Sequence, residues 1–235
     1  MTILYEDNHI IAVNKTCSEI VQGDKTGDTP LSEIVKAYIK ERYNKPGAVF
    51  LGVPHRIDRP TSGIVLFART SKALTRLNTM FSSHTDIKKT YWAIVEGEPK
   101  PAQARLVNHI KKNEMQNKSY IVTATQGKEA ILSYRTLVKG DYYSLLEVDL
   151  ETGRHHQIRC QLAAIGHPIK GDLKYGAKRS NPDGGICLHA KRVEFIHPVT
   201  QEQVVIEAPI PNDKIWVKLT EGLKVDSQES KVESN

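Results

Sequence analysis

Ala130-Ile131-Leu132-Ser133-Tyr134-Arg135-Thr136-Leu137-Val138-Lys139-Gly140-Asp141-Tyr142-Tyr143-Ser144-Leu145-Leu146-Glu147-Val148-Asp149-Leu150 reads as two strands folded back on each other. Lys139-Gly140-Asp141 supplies the hairpin turn, and residues 142–150 form the returning arm. Upstream, residues 91–95, 103–110 and 120–124 read as further strands, and downstream so do 186–196 and 203–208. Strands outnumber helices after Thr85, and hairpin-length turns join most of them, which predicts an α+β fold with a mainly antiparallel sheet.

The first third of the chain supplies the expected helices. His9 to Asn14 opens as a strand, and Asp28-Thr29-Pro30 then starts a helix with a capping side chain and Pro in its first turn. Leu31, Ile34, Val35, Tyr38 and Ile39 give that helix one apolar face. Gly63-Ile64-Val65-Leu66-Phe67-Ala68 is a continuous run of β-formers, a strand buried on both faces. Ser71 is expected to cap a second helix with a Leu74, Leu77, Met80, Phe81 stripe. A third helix is predicted over 155–165, closed by Gly166 with Pro168 beyond, and a short one near 214–219.

The chain has 235 residues, a net charge of +6 and an ordinary globular balance of 39% hydrophobic and 26% charged residues. The apolar runs are too short to span a bilayer, and the N-terminus lacks the pattern of a secretory signal. Cys17, Cys160 and Cys187 show no paired spacing, against a disulfide framework or zinc knuckle. The expectation is a soluble cytoplasmic protein, without membrane or metal partners. From Arg154 to Arg192 eight Lys/Arg face two Asp/Glu, a local +6, and a second basic patch runs from Arg105 to Lys118. Residues 221–235 are polar, Ser-rich and acidic, and are read as a disordered tail after a body of 1–220.

Three segments could carry chemistry. His55-Arg56-Ile57-Asp58-Arg59-Pro60-Thr61-Ser62-Gly63 sets an acid between two arginines at a strand entrance, where an ionised carboxylate can act as nucleophile or base. Local composition alone fits a surface ion-pair cluster better. Glu151-Thr152-Gly153-Arg154-His155-His156-Gln157-Ile158-Arg159-Cys160-Gln161 lies at a strand-to-helix junction that favours anions. Its adjacent histidines are expected on a helix, pointing apart, so that they do not chelate one metal. Lys88-Lys89-Thr90-Tyr91 places an aromatic hydroxyl after basic residues.

Taken together, these segments resemble the RluA-type family of RNA pseudouridine synthases. The family's central motif is matched by His55-Arg56-Ile57-Asp58-Arg59-Pro60-Thr61-Ser62-Gly63-Ile64, and a second motif by Gly153-Arg154-His155-His156-Gln157-Ile158-Arg159. Gly166-His167-Pro168-Ile169-Lys170-Gly171-Asp172, Leu188-His189-Ala190 and Lys89-Thr90-Tyr91 also match, in consistent order from about Ile3 to Pro209. The opening Lys15-Thr16-Cys17-Ser18 departs from the family's Lys-Pro-x-Gly.

The resemblance implies a single catalytic domain, a large mixed sheet flanked by helices and loops, and an active-site cleft across that sheet. It implies cleavage of the bond between uracil and ribose, rotation of the base and rejoining through ring carbon C5, with no cofactor. Asp58 would be the essential acid, trapping the sugar species or abstracting a ribose proton; Arg159 would pair with it, and Tyr91 would stack on the base and relay the C5 proton. Ile158 would give the uracil an apolar wall. Arg56 would fill the place vacated by a flipped base, and Arg154 would meet phosphate. His55, Arg59, Thr61, His156 and Gln157 complete the expected substrate-binding set. The implied partner is structured RNA, ribosomal or transfer, and the protein is expected to be a monomer. A non-catalytic RNA-binding or ribosome-assembly factor would use the same basic face, but has no need of an acid among arginines. A hydrolytic glycosidase or nuclease would need a second carboxylate or a metal site.

Overall fold

The computed structural model describes residues 1–24, 27–221 and 223. The expectation for the 221–235 tail falls, apart from Glu221 and Leu223, outside the described residues. Glu221 and Leu223 are both helical, and residues 214–220 are helical before them. No helix among the described residues is long and apolar enough to cross a membrane.

The fold is α+β with a large, mostly antiparallel sheet, as the hairpin order predicted, and its chain packs as two compact units. The first comprises Met1–Lys89, Asp183–Gly185 and Ala190–Ala208. It carries β1 (Thr2–Glu6), β2 (Ile10–Lys15), α1 (Leu31–Arg42), β3 (Ser62–Ala68) and α2 (Ser71–Ser83). The second comprises Thr90–Pro182, Ile186–His189 and the residues from Pro209 onward. It holds most of β4 (Ile87–Glu96), then β5 (Gln103–Asn113), β6 (Lys118–Val122), β7 (Lys128–Lys139), β8 (Tyr143–Leu150) and α3 (Gln157–Ala164). A 3-10 turn over Leu173–Tyr175 follows. β9 (Leu188–Ile196) lies mostly in the first unit, and β10 (Gln203–Glu207) completes it.

In the first unit the strand order is β1-β2-β3-β9, with β10 on β9. β2 and β3 pair antiparallel from Ile10↔Ala68 to Lys15↔Gly63, and Ile10 to Val13 and Val65 to Ala68 are fully buried. That burial on both faces explains why these runs are continuously apolar rather than alternating. β1 escaped the sequence reading because it is short, half-exposed and broken by a bulge between Ile3 and Tyr5. Gly63 has φ +110°, and a Cβ there would stand 2.4 Å from the backbone oxygen of Ala190. Only glycine lets β3 begin so close to β9.

Two expected caps are corrected. Pro30 is the N-cap of α1, and its hydrocarbon ring offers no acceptor for a cap bond, while the Asp28 carboxylate stands 2.7 Å from Arg59. Thr70, not Ser71, caps α2, its hydroxyl accepting from the Ala73 N–H at 3.2 Å. In the expected α2 stripe, Leu77 is fully buried, while Leu74, Met80 and Phe81 are half-buried.

In the second unit the order is β4-β8-β7-β5-β6, antiparallel at β4/β8, β8/β7, β7/β5 and β5/β6. Its core gathers Ala93, Ile94 and Val95 of β4, Leu145, Leu146 and Val148 of β8, and Ile158 and Leu162 of α3. α3 begins at Gln157 rather than His155, and ends as the Gly166 signal predicts. The Gly166 N–H reaches the Ala163 oxygen at 3.0 Å and the His167 N–H the Leu162 oxygen at 3.0 Å, a Schellman stop with Gly166 at φ +87°.

Candidate active site

The segment around Asp58 leads into β3 as a loop closed by a turn: the Thr61 N–H donates to the Asp58 carbonyl at 3.0 Å. The loop is held from three sides. His55 Nε2 accepts from the Leu66 N–H at 2.9 Å, and its ring stacks on Phe81 with centroids 4.2 Å apart. Burial, with the Lys89 charge adding to it, pushes the His55 pKa down to about 3, so the ring is neutral and carries its proton on Nδ1. Arg59 sends its guanidinium to Asp28, while its carbonyl accepts from Ser18 N–H at 3.1 Å and from Lys15 Nζ at 3.0 Å. Thr61 is buried, and its Oγ1 has no hydrogen-bond partner among the described residues. Arg56 is exposed.

Lys15 is the residue that sequence reasoning missed here. Its side chain is fully buried, with Nζ donating to the Thr16 carbonyl at 2.8 Å as well as to Arg59. Burial lowers its pKa to about 8, against the pull of Glu19, Cys17 and Asp58. A buried ammonium thus shares its field with the Asp58 carboxylate. The available signal was a lysine ending the apolar run Ile10-Ile11-Ala12-Val13-Asn14, where a solvated side chain is out of place.

The second motif builds the entrance to α3. Gln157 knits the turn: its Oε1 accepts from Thr152 Oγ1 at 2.7 Å and from the Arg154 N–H at 3.0 Å, and its Nε2 donates to the Ile131 carbonyl at 3.0 Å. Arg154 Nε donates to the Glu129 carbonyl at 2.8 Å. His156 precedes the helix at φ +53°, so the two histidines are not on a helix and do not point apart; their rings stack with centroids 3.8 Å apart. Ile158 lies in the apolar core, and Tyr91, half-buried on β4, packs against the same cluster.

Arg159 is buried, and its Nε and Nη2 donate to the two oxygens of Asp172 at 2.7 and 2.9 Å. Its guanidinium lies 5.1 Å from the centre of the Tyr175 ring. The Tyr175 hydroxyl accepts from the Ser119 N–H at 2.8 Å and stands 3.0 Å from His156 Nδ1. Burial, reinforced by Arg159, His155, Lys174 and Lys112, lowers the His156 pKa to about 2, so the imidazole is neutral. Burial also pushes the Tyr175 hydroxyl up to about 12. Neither Asp172 nor Tyr175 was singled out from sequence for such a role. The usable signal was that Asp172 is the one acid between Arg154 and Pro182.

Residues 9–164 match the family model described as RNA pseudouridylate synthase. An uncharacterized RNA pseudouridine synthase of Bacillus subtilis is 34% identical over 218 residues, covering 91% of this chain and 70% of the relative. Ribosomal large subunit pseudouridine synthase D of Xylella fastidiosa is 32% identical over 240 residues, covering 97% and 70%. Two solved human structures share the fold. RNA pseudouridylate synthase domain containing 4 has TM-score 0.76 at 20% identity, over 95% of this chain and 93% of that one. Domain containing 1 has TM-score 0.69 at 23%, over 95% and 94%. With this match across two thirds of its length, and these relatives, the chain belongs to the RNA pseudouridylate synthase family, the isomerases that turn uridine into pseudouridine within RNA.

Proposed function

We propose that the protein isomerises specific uridines in structured RNA, ribosomal or transfer RNA, with Asp58 as its essential acid. Asp58 meets the sugar as the glycosidic bond breaks, either bonding to it or removing a ribose proton. Arg159 pairs with Asp58 and keeps it aimed. Tyr91 stacks on the released uracil and takes part in moving the C5 proton once the new carbon–carbon bond has formed, while N1 of the ring gains a proton. Arg56 fills the stack left by the flipped uridine, and Arg154 with the basic run 170–192 meets phosphate.

The observation that carries this reading is the Asp58 loop. It is closed by the Thr61–Asp58 turn, tied by His55 to Leu66, and joined by the buried Lys15 ammonium through the Arg59 carbonyl. Relatives named for the ribosomal large subunit favour ribosomal RNA among the two classes. The test is pseudouridine mapping in total RNA from cells with and without the gene, together with purified Asp58→Asn and Asp58→Ala. Both variants are expected to bind RNA and lose isomerisation. Normal turnover by either would overturn the assignment.

A further inference from the structure

Arginine presents two hydrogen-bonding edges to carboxylates, one from Nε and an Nη and one from the two Nη groups. In Arg159 the first edge is taken up by Asp172, with both partners almost wholly out of water: their side chains are 6% and 1% exposed. A bidentate pair of this kind fixes the plane of the guanidinium as well as its position. The plane is fixed a second time by Tyr175, whose ring lies against the guanidinium. Tyr175 is itself anchored through its hydroxyl to Ser119 on β6 and faces His156 at the start of α3. Asp172 is anchored in turn: its N–H donates to the Ile169 carbonyl, and its own carbonyl accepts from Tyr175 N–H and Ala177 N–H, each at 3.0 Å.

From this geometry we infer that Asp172 is a positioning residue, which through Arg159 sets the direction of the arginine's second edge for the reaction. This inference rests on the assignment of Arg159 proposed above. The carboxylate does not touch the reacting atoms. It neutralises Arg159 in the buried state, so the arginine acts as an oriented donor rather than as a bare buried charge. It also makes the side chain rigid along its first edge, so the second edge needs no search for its anion. The loss expected on removing it is therefore one of orientation, which appears in kcat and not in RNA affinity.

The test compares wild type, Asp172→Asn, Arg159→Gln and the double variant, following tritium release from RNA labelled at uracil C5 in single turnovers. Asp172→Asn is expected to lower kcat by about 10²-fold with KM nearly unchanged. Adding it to Arg159→Gln is expected to cost nothing further, since its effect passes through the arginine. An Asp172→Asn enzyme with wild-type kcat, or a double variant whose loss is the product of the two single losses, overturns the inference. Should Asp172→Asn alone fail to fold, the comparison is made within the Arg159→Gln background, where a further loss of turnover from Asp172→Asn overturns the inference and an unchanged rate supports it.

A second readout does not use turnover. The Arg159 Nε–H should give a slowly exchanging ¹H–¹⁵N signal in the free protein, lost in Asp172→Asn. Its persistence unchanged overturns the inference. If wild type releases no tritium from any RNA while that signal is present and Asp172-dependent, the proposed function fails and the positioning of Arg159 stands.

Discussion

The Lys15 ammonium donates to the Arg59 carbonyl at 3.0 Å, joining the end of β2 to the turn that carries Asp58. Its folded pKa of about 8 lies below the ordinary 10.5 because burial disfavours the charge. Between these values the unfolded chain holds a proton that the folded one has released, so the Lys15 contribution to stability rises with pH. The urea stability of wild type relative to Lys15→Met should therefore increase from pH 8 upward, with a slope approaching about 1.4 kcal/mol per pH unit. A difference that stays flat from neutral pH through this window would rule out a depressed Lys15 pKa.

Gly63 admits no side chain. At φ +110°, with the Ala190 backbone 2.4 Å from any added Cβ, alanine would have to push two strands apart. Gly63→Ala is expected to lose at least about 2 kcal/mol in a denaturant titration. A variant as stable as wild type would show that β3 can begin elsewhere.

Gln157 reads as a substrate contact in the motif, yet its amide is engaged by Thr152, Arg154 and Ile131 of its own chain. Gln157→Leu keeps the volume, takes the Gln157 acceptor from the Arg154 N–H, and removes one bond each from Thr152 Oγ1 and the Ile131 carbonyl in a buried turn. A loss of about 2–4 kcal/mol is expected. Chemical unfolding checks this, and a change under about 0.5 kcal/mol would return Gln157 to a purely RNA-facing role.

His156 is neutral in the fold, its pKa lowered from 6.5 to about 2 by burial and neighbouring cations. As pH falls below 6.5 the unfolded chain takes up a proton that the folded one refuses, so stability is lost on the acid side. Asparagine tolerates the left-handed backbone at φ +53° without titrating. The wild-type advantage over His156→Asn should therefore shrink between about pH 6.5 and 4.5, by about 1.4 kcal/mol per unit at full effect. Equal acid sensitivity of the two proteins would contradict this.

Much of the fold was legible because its signals are local. The Lys139-Gly140-Asp141 turn set the hairpin now seen as β7 and β8, and Gly166 marked the end of α3. Capping was less legible, since which oxygen reaches an N–H depends on competition. Asp28 is adjacent to the start of α1 but is held by Arg59, thirty-one positions away in sequence. The late start of α3 was hidden for a similar reason: Gln157 spends its side chain on the preceding turn, and His156 sits in a left-handed conformation.

The order of the motifs determined the family, because residues such as His55 to Ile64 and Gly153 to Arg159 are contiguous and their identity needs no geometry to be read. Only the tertiary structure decided what surrounds them. Lys15 beside the Asp58 turn and Asp172 on Arg159 are joined across 44 and 13 positions, by contacts that offset the cost of burying a charge. A charge taken out of water must find its partner in space, and linear spacing carries no record of which partner that is.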